Sequence, residues 1–541
     1  MPSSSSTLKT KSRSERRRAT TPSFVCEVPL RVIPTQEDTL QTRFEAARQL
    51  YNALLGEALK RLRLLQQSRA YQTARRLART QPKQRAAAFA RARQAVGFTE
   101  FALSQYATAI HQSWIGDHVD AVIGQTLTKR AFQAVNRMAL AQAKKVRFKG
   151  QRGLHQISSL EGKSNAAGLR WRNDALHWGD LILPMVPHAD RDPVIAYGLA
   201  HRIKYVRLVR RTINGRFRWF AQLVCEGLPM RKIDPKTGQF RHPYGSDIVG
   251  LDIGPSTIAI VGETRADLRQ FAEEVVHDHA EIRRLQRHLD RQRRANNPDC
   301  YDAQGRVIKG KRPTNTSRQQ QFTENRLQEL SRRETAHRKT LHGQLANQVM
   351  AQGTTIKTEK LSYKAFQKRF GRSISVRAPK LFLSILTRKA ESAGGQVIEF
   401  NTRTTALSQT CLCGQKHKKR LSERIHTCGC GVTMQRDLFS AYLARFVEDD
   451  ALQVARATEP WPGAEPLLRT AWQRATTNQP ASGRPLPSSF GRYPSGPSQS
   501  GSSEKENLPE HKAADVVTSA RPLGVPEEGQ VEARAAESVK V

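Results

Sequence analysis

Acidic residues are scarce in this 541-residue chain: 48 Asp and Glu stand against 89 Lys and Arg, a formal net charge of +41. The shortage is uneven. From Asp449 to the end there are 10 basic and 12 acidic residues, so the first 448 residues carry 79 and 36, a net of +43. Self-repulsion on that scale disfavours a compact state unless a polyanion neutralises it. Phosphate backbones do this well, because each neutralised phosphate releases counterions. Ribosomal and membrane-surface proteins share such a charge, so it indicates nucleic acid without naming a function. Long apolar runs are also missing: nothing approaches the ~20 residues of a membrane helix, so no membrane partner is expected. The N-terminus, MPSSSSTLKTKSRSERRRATTPS, lacks the apolar centre of a secretory signal. It reads as a disordered basic arm, and the chain as cytoplasmic and nucleoid-associated. Seven cysteines are too few for a disulfide framework, and four of them crowd between Cys411 and Cys430, a pattern of metal binding in a reducing compartment. No P-loop and no Ser-His-Asp arrangement is visible.

The length allows roughly two to four domains. FVCEVPLRVIP, from Phe24 to Pro34, reads as a strand ending at proline. A helix then opens near Thr35, with Leu40, Phe44, Ala47, Tyr51 and Leu55 at helical spacing. To about Lys145 the chain is rich in Ala, Arg and Gln and poor in Pro and Gly, a helical region whose arginines face either solvent or phosphate. Short β-branched and aromatic runs follow to Ser246, including two alternating runs around Asn214-Gly215, a strong hairpin signal. The helical region therefore reads as an insert between the first strand and the rest of a β-rich part. Strands and helices alternate from SDIVGLDIG to QVIEFNT, predicting a mixed α/β layer. QRDLFSAYLARFVE is a last amphipathic helix, and Pro, Ser, Gly and Glu dominate the chain after about Asp449.

Three acids stand out. Asp252 lies inside the apolar strand VGLDIG and Glu359 ends TTIKTE, while Asp437 opens the helix in MQRDLFSA. A buried carboxylate is costly unless paired or bound to metal, and three from separate elements can converge on Mg²⁺, which prefers carboxylate oxygens and keeps waters for chemistry. Two such ions suit phosphodiester hydrolysis. Taken singly, a strand-end acid is most often a cap or an ion-pair partner. Cys411, Cys413, Cys428 and Cys430 form two C-x-C pairs, each followed by glycine. Four thiolates in two short loops fit one structural Zn²⁺, though each pair is a residue shorter than the usual C-x-x-C. His417 and His426 are possible substitutes. Between the pairs, KHKKRLSER offers Lys418 and Lys419 to nucleic acid or to solvent. Arg436 has two readings, a phosphate contact and a structural ion pair. Trp171, Trp178, Trp219 and Phe220 interleave with basic residues, as core packing or as stacking platforms for bases.

Taken in order, IVGLDIGPSTIAIV, IKTEKL and the cysteine ribbon ending in QRDLFSAYLA resemble the split RuvC-like nuclease of TnpB proteins, transposon-encoded RNA-guided endonucleases related to compact type V CRISPR effectors. LRVIPTQEDTLQTRFEAARQLYNALL, KKVRFKG and LTRKAESAGGQVIEFNTRTTALSQTC agree, so the likeness spans roughly Phe24 to Val447. The resemblance implies a multidomain α/β fold, in which a RuvC-like (RNase H-type) nuclease domain holds an inserted zinc ribbon. A β-rich wedge domain carrying a helical recognition insert would precede it. The implied boundaries are a disordered arm at 1–23, a first wedge strand at 24–38, the recognition helices at 39–145 and the rest of the wedge at 146–246. The nuclease follows at 247–404, the ribbon at 405–433, the final nuclease helix at 434–448 and a disordered tail at 449–541. By position, Asp252, Glu359 and Asp437 become the catalytic carboxylates holding two Mg²⁺. The four cysteines become Zn²⁺ ligands, and Arg436, Lys418, Lys419, Arg147 and Lys149 become contacts to nucleic acid. Guide RNA and a double-stranded DNA target are the implied partners: base pairing selects the sequence and the protein reads a short flanking motif. The alternatives are a type V CRISPR effector and a DNA-binding regulator that no longer cuts. The chain departs from the family in its short Cys pairs, in Phe439 and Ser440 where an asparagine is usual, and in about 90 residues beyond the usual end.

Overall fold

A computed structural model describes residues 21–151, 156–275, 278–310, 313–420, 422–477 and 486–493. The basic arm up to residue 20, and the tail at 478–485 and 494–541, lie outside the described residues. The chain divides into two compact units, Met1–Arg231 and Lys232–Val541.

The first unit opens with β1 (Ser23–Pro29) and then six helices: α1 (Pro34–Gln67), α2 (Arg69–Arg76), α3 (Pro82–Ala95), α4 (Glu100–His111), α5 (Ile115–His118) and α6 (Ala121–Ala139). The remaining elements are β2 (Ser159–Glu161), β3 (Arg170–Arg172), β4 (Ala175–Trp178), β5 (Leu181–Pro184), α7 (Pro193–Leu199), β6 (Ile203–Ile213) and β7 (Arg216–Glu226). β1 pairs with β7, at the far end of the unit's sequence, in an antiparallel sheet of order β1-β7-β6-β2. The helices are thus inserted between two partners in one sheet. Asn214 and Gly215 both take positive φ between β6 and β7, the two left-handed residues a tight hairpin requires. Pro34 opens α1 rather than ending the strand: its missing N–H is no loss at a first helical position, and the Gln36 side chain accepts from Ile33 N at 3.2 Å. Leu40, Phe44, Leu54 and Leu62 of α1 are buried in one core with α6 and the sheet. Trp171, Trp178 and Trp219 are buried in that core as well, so these three rings are packing residues. Asp120 caps α6 through Ile123 N and accepts from Trp178 Nε1, each at 2.9 Å, tying the helices to β4.

The second unit starts earlier than the expected boundary at 246. Residues just ahead of its first strand bond within it: Gly245 N donates to Met350 O at 2.9 Å, and Asp247 N to Gln352 O at 3.1 Å. Its elements are β8 (Ile248–Ile253), β9 (Thr257–Val261), β10 (Ala266–Gln270), α8 (His279–Asn296), α9 (Arg318–Met350), β11 (Thr355–Glu359), α10 (Tyr363–Arg377), α11 (Pro379–Ser392) and β12 (Gln396–Phe400). There follow α12 (Thr402–Thr405), β13 (Ile425–Thr427), β14 (Thr433–Gln435), α13 (Arg436–Ala444), β15 (Val447–Glu448), β16 (Ala451–Leu452), α14 (Val454–Thr458) and α15 (Trp461–Thr477).

The central sheet runs β10-β9-β8-β11-β12. The first three strands are antiparallel, whereas β11 is parallel to both β8 and β12. Strand alternation assigns the two faces. Val249, Leu251 and Ile253 pack with Leu345 and Val349 of α9 and with Phe382 and Leu386 of α11. The opposite face packs under α13 and α15, in a core containing Ala259, Val261, Leu438, Phe439, Leu468 and Trp472. The sheet is therefore covered on both sides, a mixed α/β layering.

Two expectations fail here. Every residue of α13 is buried, Arg436, Asp437 and Ser440 among them, so this helix is enclosed all round rather than lying on the surface with a solvent face. It is not the last helix either. The chain past 449, read as disordered, forms β16, α14 and α15, and α15 buries Trp461, Ala464, Leu468, Ala471 and Trp472. Those residues recur at helical spacing on one face and cover the side of α13 that would otherwise meet water.

Candidate functional site

Helix α13 lies directly on β8. A Cβ added at Gly250 would sit 1.8 Å from Ala441 O, so only glycine lets the helix backbone approach this closely. That contact sets the site. Asp252 is two residues beyond Gly250 and shares its face of the strand, and Asp437 is four residues before Ala441 and shares its face of the helix. The parallel register pairs Leu251 with Thr358, and one step further along it lie Asp252 and Glu359. The structure thus brings the three sequence-predicted acids together.

Their electrostatics are those of crowded, poorly solvated carboxylates. Burial pushes the Asp252 carboxyl well above its ordinary range, and the neighbouring charges of Asp437 and Glu359 push it further. Burial raises Glu359 to about 7. Asp437 is raised by burial too, against the opposing pull of Arg436 and Arg424. Among the described residues neither Asp252 nor Glu359 has an ion-pair partner, and Arg436 Nε stands 3.5 Å from Asp437 Oδ1. Arg436 and Arg424 offset only part of the cost of these buried like charges, and a hard divalent cation with oxygen preference would answer the rest. In chemistry the three carboxylates suit Mg²⁺, although among the described residues only the four cysteines lie close enough together to be grouped around one ion. Sequence reasoning missed Arg424, whose charge faces both Asp437 and Asp252. It also missed Lys357, buried on β11, whose Nζ donates to Arg445 O at 2.9 Å and Val447 O at 2.8 Å at the end of α13. A lysine inside the strand IKTE was the available signal, since a buried ammonium must find acceptors.

The cysteines converge despite their short spacing. The four sulfurs lie within 4.8 Å of one another, and among the described residues no other group of three or more His, Cys, Asp or Glu donors is as tight. Each pair sits on the same kind of turn. Gly414 N donates to Cys411 O and Gly431 N to Cys428 O, both at 3.0 Å, and both glycines have positive φ. Four sulfurs so placed are compatible with one tetrahedral structural zinc. The Cys428 thiol is drawn down to about 6, first by a backbone hydrogen bond from Cys430, whereas burial pushes the Cys411 thiol up, so four thiolates here need a cation to offset them. Neither histidine is required as a ligand. His417 Nε2 is 3.5 Å from Cys428 Sγ, in the layer around the sulfurs, and His426 is buried against the Phe439 ring and bonded to Lys419.

The expected nucleic-acid contacts divide. Lys418 is exposed. Lys419 is half-buried against His426, and Arg436 is buried, donating to Glu423 O at 2.8 Å and Arg420 O at 3.3 Å. Arg436 thus anchors the ribbon loop rather than meeting solvent. In the first unit Arg147 and Lys149 are half-buried, and Asn52 grips the Lys149 backbone, accepting from N at 2.7 Å and donating to O at 2.8 Å.

Comparison with curated proteins finds no match. Among solved structures, a cryo-EM structure of a Cas12f1–sgRNA–target DNA complex is similar, with TM-score 0.37 and 10% identity, covering 78% of this chain and 98% of that one. A CRISPR-Cas12f ternary complex gives TM-score 0.23 at 12% identity, covering 76% and 81%. Residues 380–443, which run through α11, β12, the four cysteines and Asp437, match the Cas12f1-like TNB domain family.

Proposed function

We propose that this chain is an RNA-guided DNA endonuclease of the compact type V and TnpB class. The observation that carries this reading is the meeting of Asp252, Glu359 and Asp437 on one face of a mixed sheet, immediately beside the cysteine cluster of the segment that matches the TNB family. The strand order, three antiparallel strands followed by two parallel ones, supports an RNase H-type nuclease core. The net charge of +41 supports polyanionic partners, a guide RNA and a double-stranded DNA target beside a short flanking motif.

Asp252, Glu359 and Asp437 are the residues that would hold two Mg²⁺. Bound there, such ions would supply Lewis acidity for activating a water and for stabilising the leaving oxygen of a phosphodiester. The chain's own part is to fix the carboxylates. Gly250 admits α13, Lys357 holds the helix's far end, and the buried layers on both sides keep bulk water out. Arg424 balances the acids when no ion is present and faces the place where a scissile phosphate would bring negative charge. Cys411, Cys413, Cys428 and Cys430 would hold one Zn²⁺ and keep the ribbon folded.

The test is to purify the chain with its bound RNA, sequence that RNA, and challenge the complex with a plasmid carrying the matching target and a randomised flank. Cleavage should require Mg²⁺ and disappear in Asp252→Ala. Guided binding without cleavage under every divalent metal tried would instead identify a DNA-binding regulator. The sequenced RNA also separates a transposon-derived guide from a CRISPR-derived one. Metal analysis should find one zinc per chain, reduced in Cys428→Ser.

A further inference from the structure

The chain beyond α15 reaches back to the site. Residues 486–493 form a short strap around the turn Ser488–Phe490. Phe490 is buried, and its carbonyl accepts from Trp472 Nε1 of α15 at 2.9 Å. The Trp472 ring meets Tyr493 at 5.1 Å. Gly491 turns with positive φ so close to the ribbon that a Cβ there would lie 3.3 Å from Arg424 Cβ. The strap therefore rests against the arginine that faces the acids.

Its second contact is more specific. Gln435 is fully buried and caps α13: its Oε1 accepts from Leu438 N at 2.7 Å. Its Nε2 donates to Ser489 O at 3.0 Å. Both ends of one amide are committed, one to the helix's first turn and the other to the strap, and the same amide faces the Asp437 carboxyl. An amide held at one end alone can flip or swing, whereas held at both it has one orientation. Asp437 lies in the turn that this amide caps, two residues away.

We infer that Gln435, locked by the strap, is a positioning residue for Asp437, so that a backbone carbonyl some fifty residues downstream fixes the aim of a metal-holding carboxylate. This rests on the nuclease reading above. Reactive geometry tolerates little error, since a misplacement of about 1 Å costs on the order of a hundredfold in rate.

Gln435→Glu separates the two bonds: its carboxylate still accepts from Leu438 N but has no donor for Ser489 O. A chain ending at Thr477 keeps α15 and removes the strap. Mn²⁺ binding should be measured by electron paramagnetic resonance on the RNA-loaded protein, with Asp252→Ala as the blank, alongside the Mg²⁺ concentration for half-maximal cleavage. Gln435→Glu should weaken Asp252-dependent Mn²⁺ binding about tenfold and raise the Mg²⁺ midpoint by a similar factor, with retained RNA nearly unchanged and a lower melting temperature from its buried carboxylate. The shortened chain should show the same shift. Lower melting temperatures with unchanged Mn²⁺ affinity and Mg²⁺ midpoint in both variants would overturn the inference, leaving the strap as mere packing. If the parent complex binds no Mn²⁺ through Asp252 and cuts nothing, the nuclease reading falls first, an outcome distinct from variants that behave like a cutting parent.

Discussion

At the residue scale the acids are a liability to the metal-free fold. A group whose pKa is raised on folding contributes its full stability below its unfolded value and loses it as pH rises toward the folded one. For Asp252, raised well above 3.8, that loss is present at pH 7. Asp252→Asn keeps the shape and removes the charge. We expect it to raise the melting temperature in EDTA near pH 7, and to have no such effect below about pH 4. Mg²⁺ should raise the melting temperature of the parent but not of the variant. His342 on α9 has the opposite sign. It is wholly buried, stacked on Phe271 at 5.3 Å and packed against Phe382. Burial, outweighing the nearby Arg377 backbone, lowers its pKa from 6.5 to about 4. Its stabilising share is complete above 6.5 and is lost as pH falls toward 4, a loss of roughly 3 kcal/mol. Denaturant titrations should show His342→Leu losing less stability than the parent between pH 7.5 and 4.5. Parallel pH curves for the two proteins would refute the assignment.

At the scale of elements, one contact governs the site. The backbone of α13 touches β8 at Gly250, and no rotamer change relieves a Cβ placed against a carbonyl oxygen. Gly250→Ala should therefore lift α13 from the sheet, cost more than about 3 kcal/mol and, on the proposed nuclease reading, abolish cleavage even though every carboxylate remains. A variant that folds and cuts like the parent would show that the helix does not need this approach. The strand acids were legible in the sequence because a carboxylate inside VGLDIG contradicts its surroundings. The hairpin at Asn214-Gly215 was legible because two left-handed residues have few alternatives. Gly250 was not, since its role depends on a helix nearly 190 residues away. α15 was lost for another reason: Pro462, Pro466 and the Pro- and Ser-rich composition around it outweighed five buried residues at helical spacing. Its apolar face, Trp461, Ala464, Leu468, Ala471 and Trp472, was the available signal, and reading it would have shown that α13 is covered. The short Cys spacing was misleading in a different way. The doubt rested on ring size within each pair, whereas convergence depends on the two matching turns that glycine allows at Gly414 and Gly431.

At the scale of the whole molecule the governing quantity is charge. Basic residues exceed acidic ones by 41, and many of the arginines are already engaged internally, as Arg43 is with Asp180 and the Trp178 carbonyl. Internal pairs consume equal numbers of both signs, so they leave the excess intact. It must be met by counterions in the free protein and by phosphates in a complex. Exchanging one for the other releases ions, and the binding constant then falls as a power of salt concentration. For protein freed of nucleic acid and a 30-base-pair duplex of arbitrary sequence, six or more phosphate contacts predict a weakening on the order of a thousandfold between 50 and 200 mM salt. Fluorescence anisotropy across that range measures the slope. A change smaller than about tenfold would mean that the positive charge is dispersed over the surface rather than gathered where a backbone can lie. The charge would then be a solubility feature.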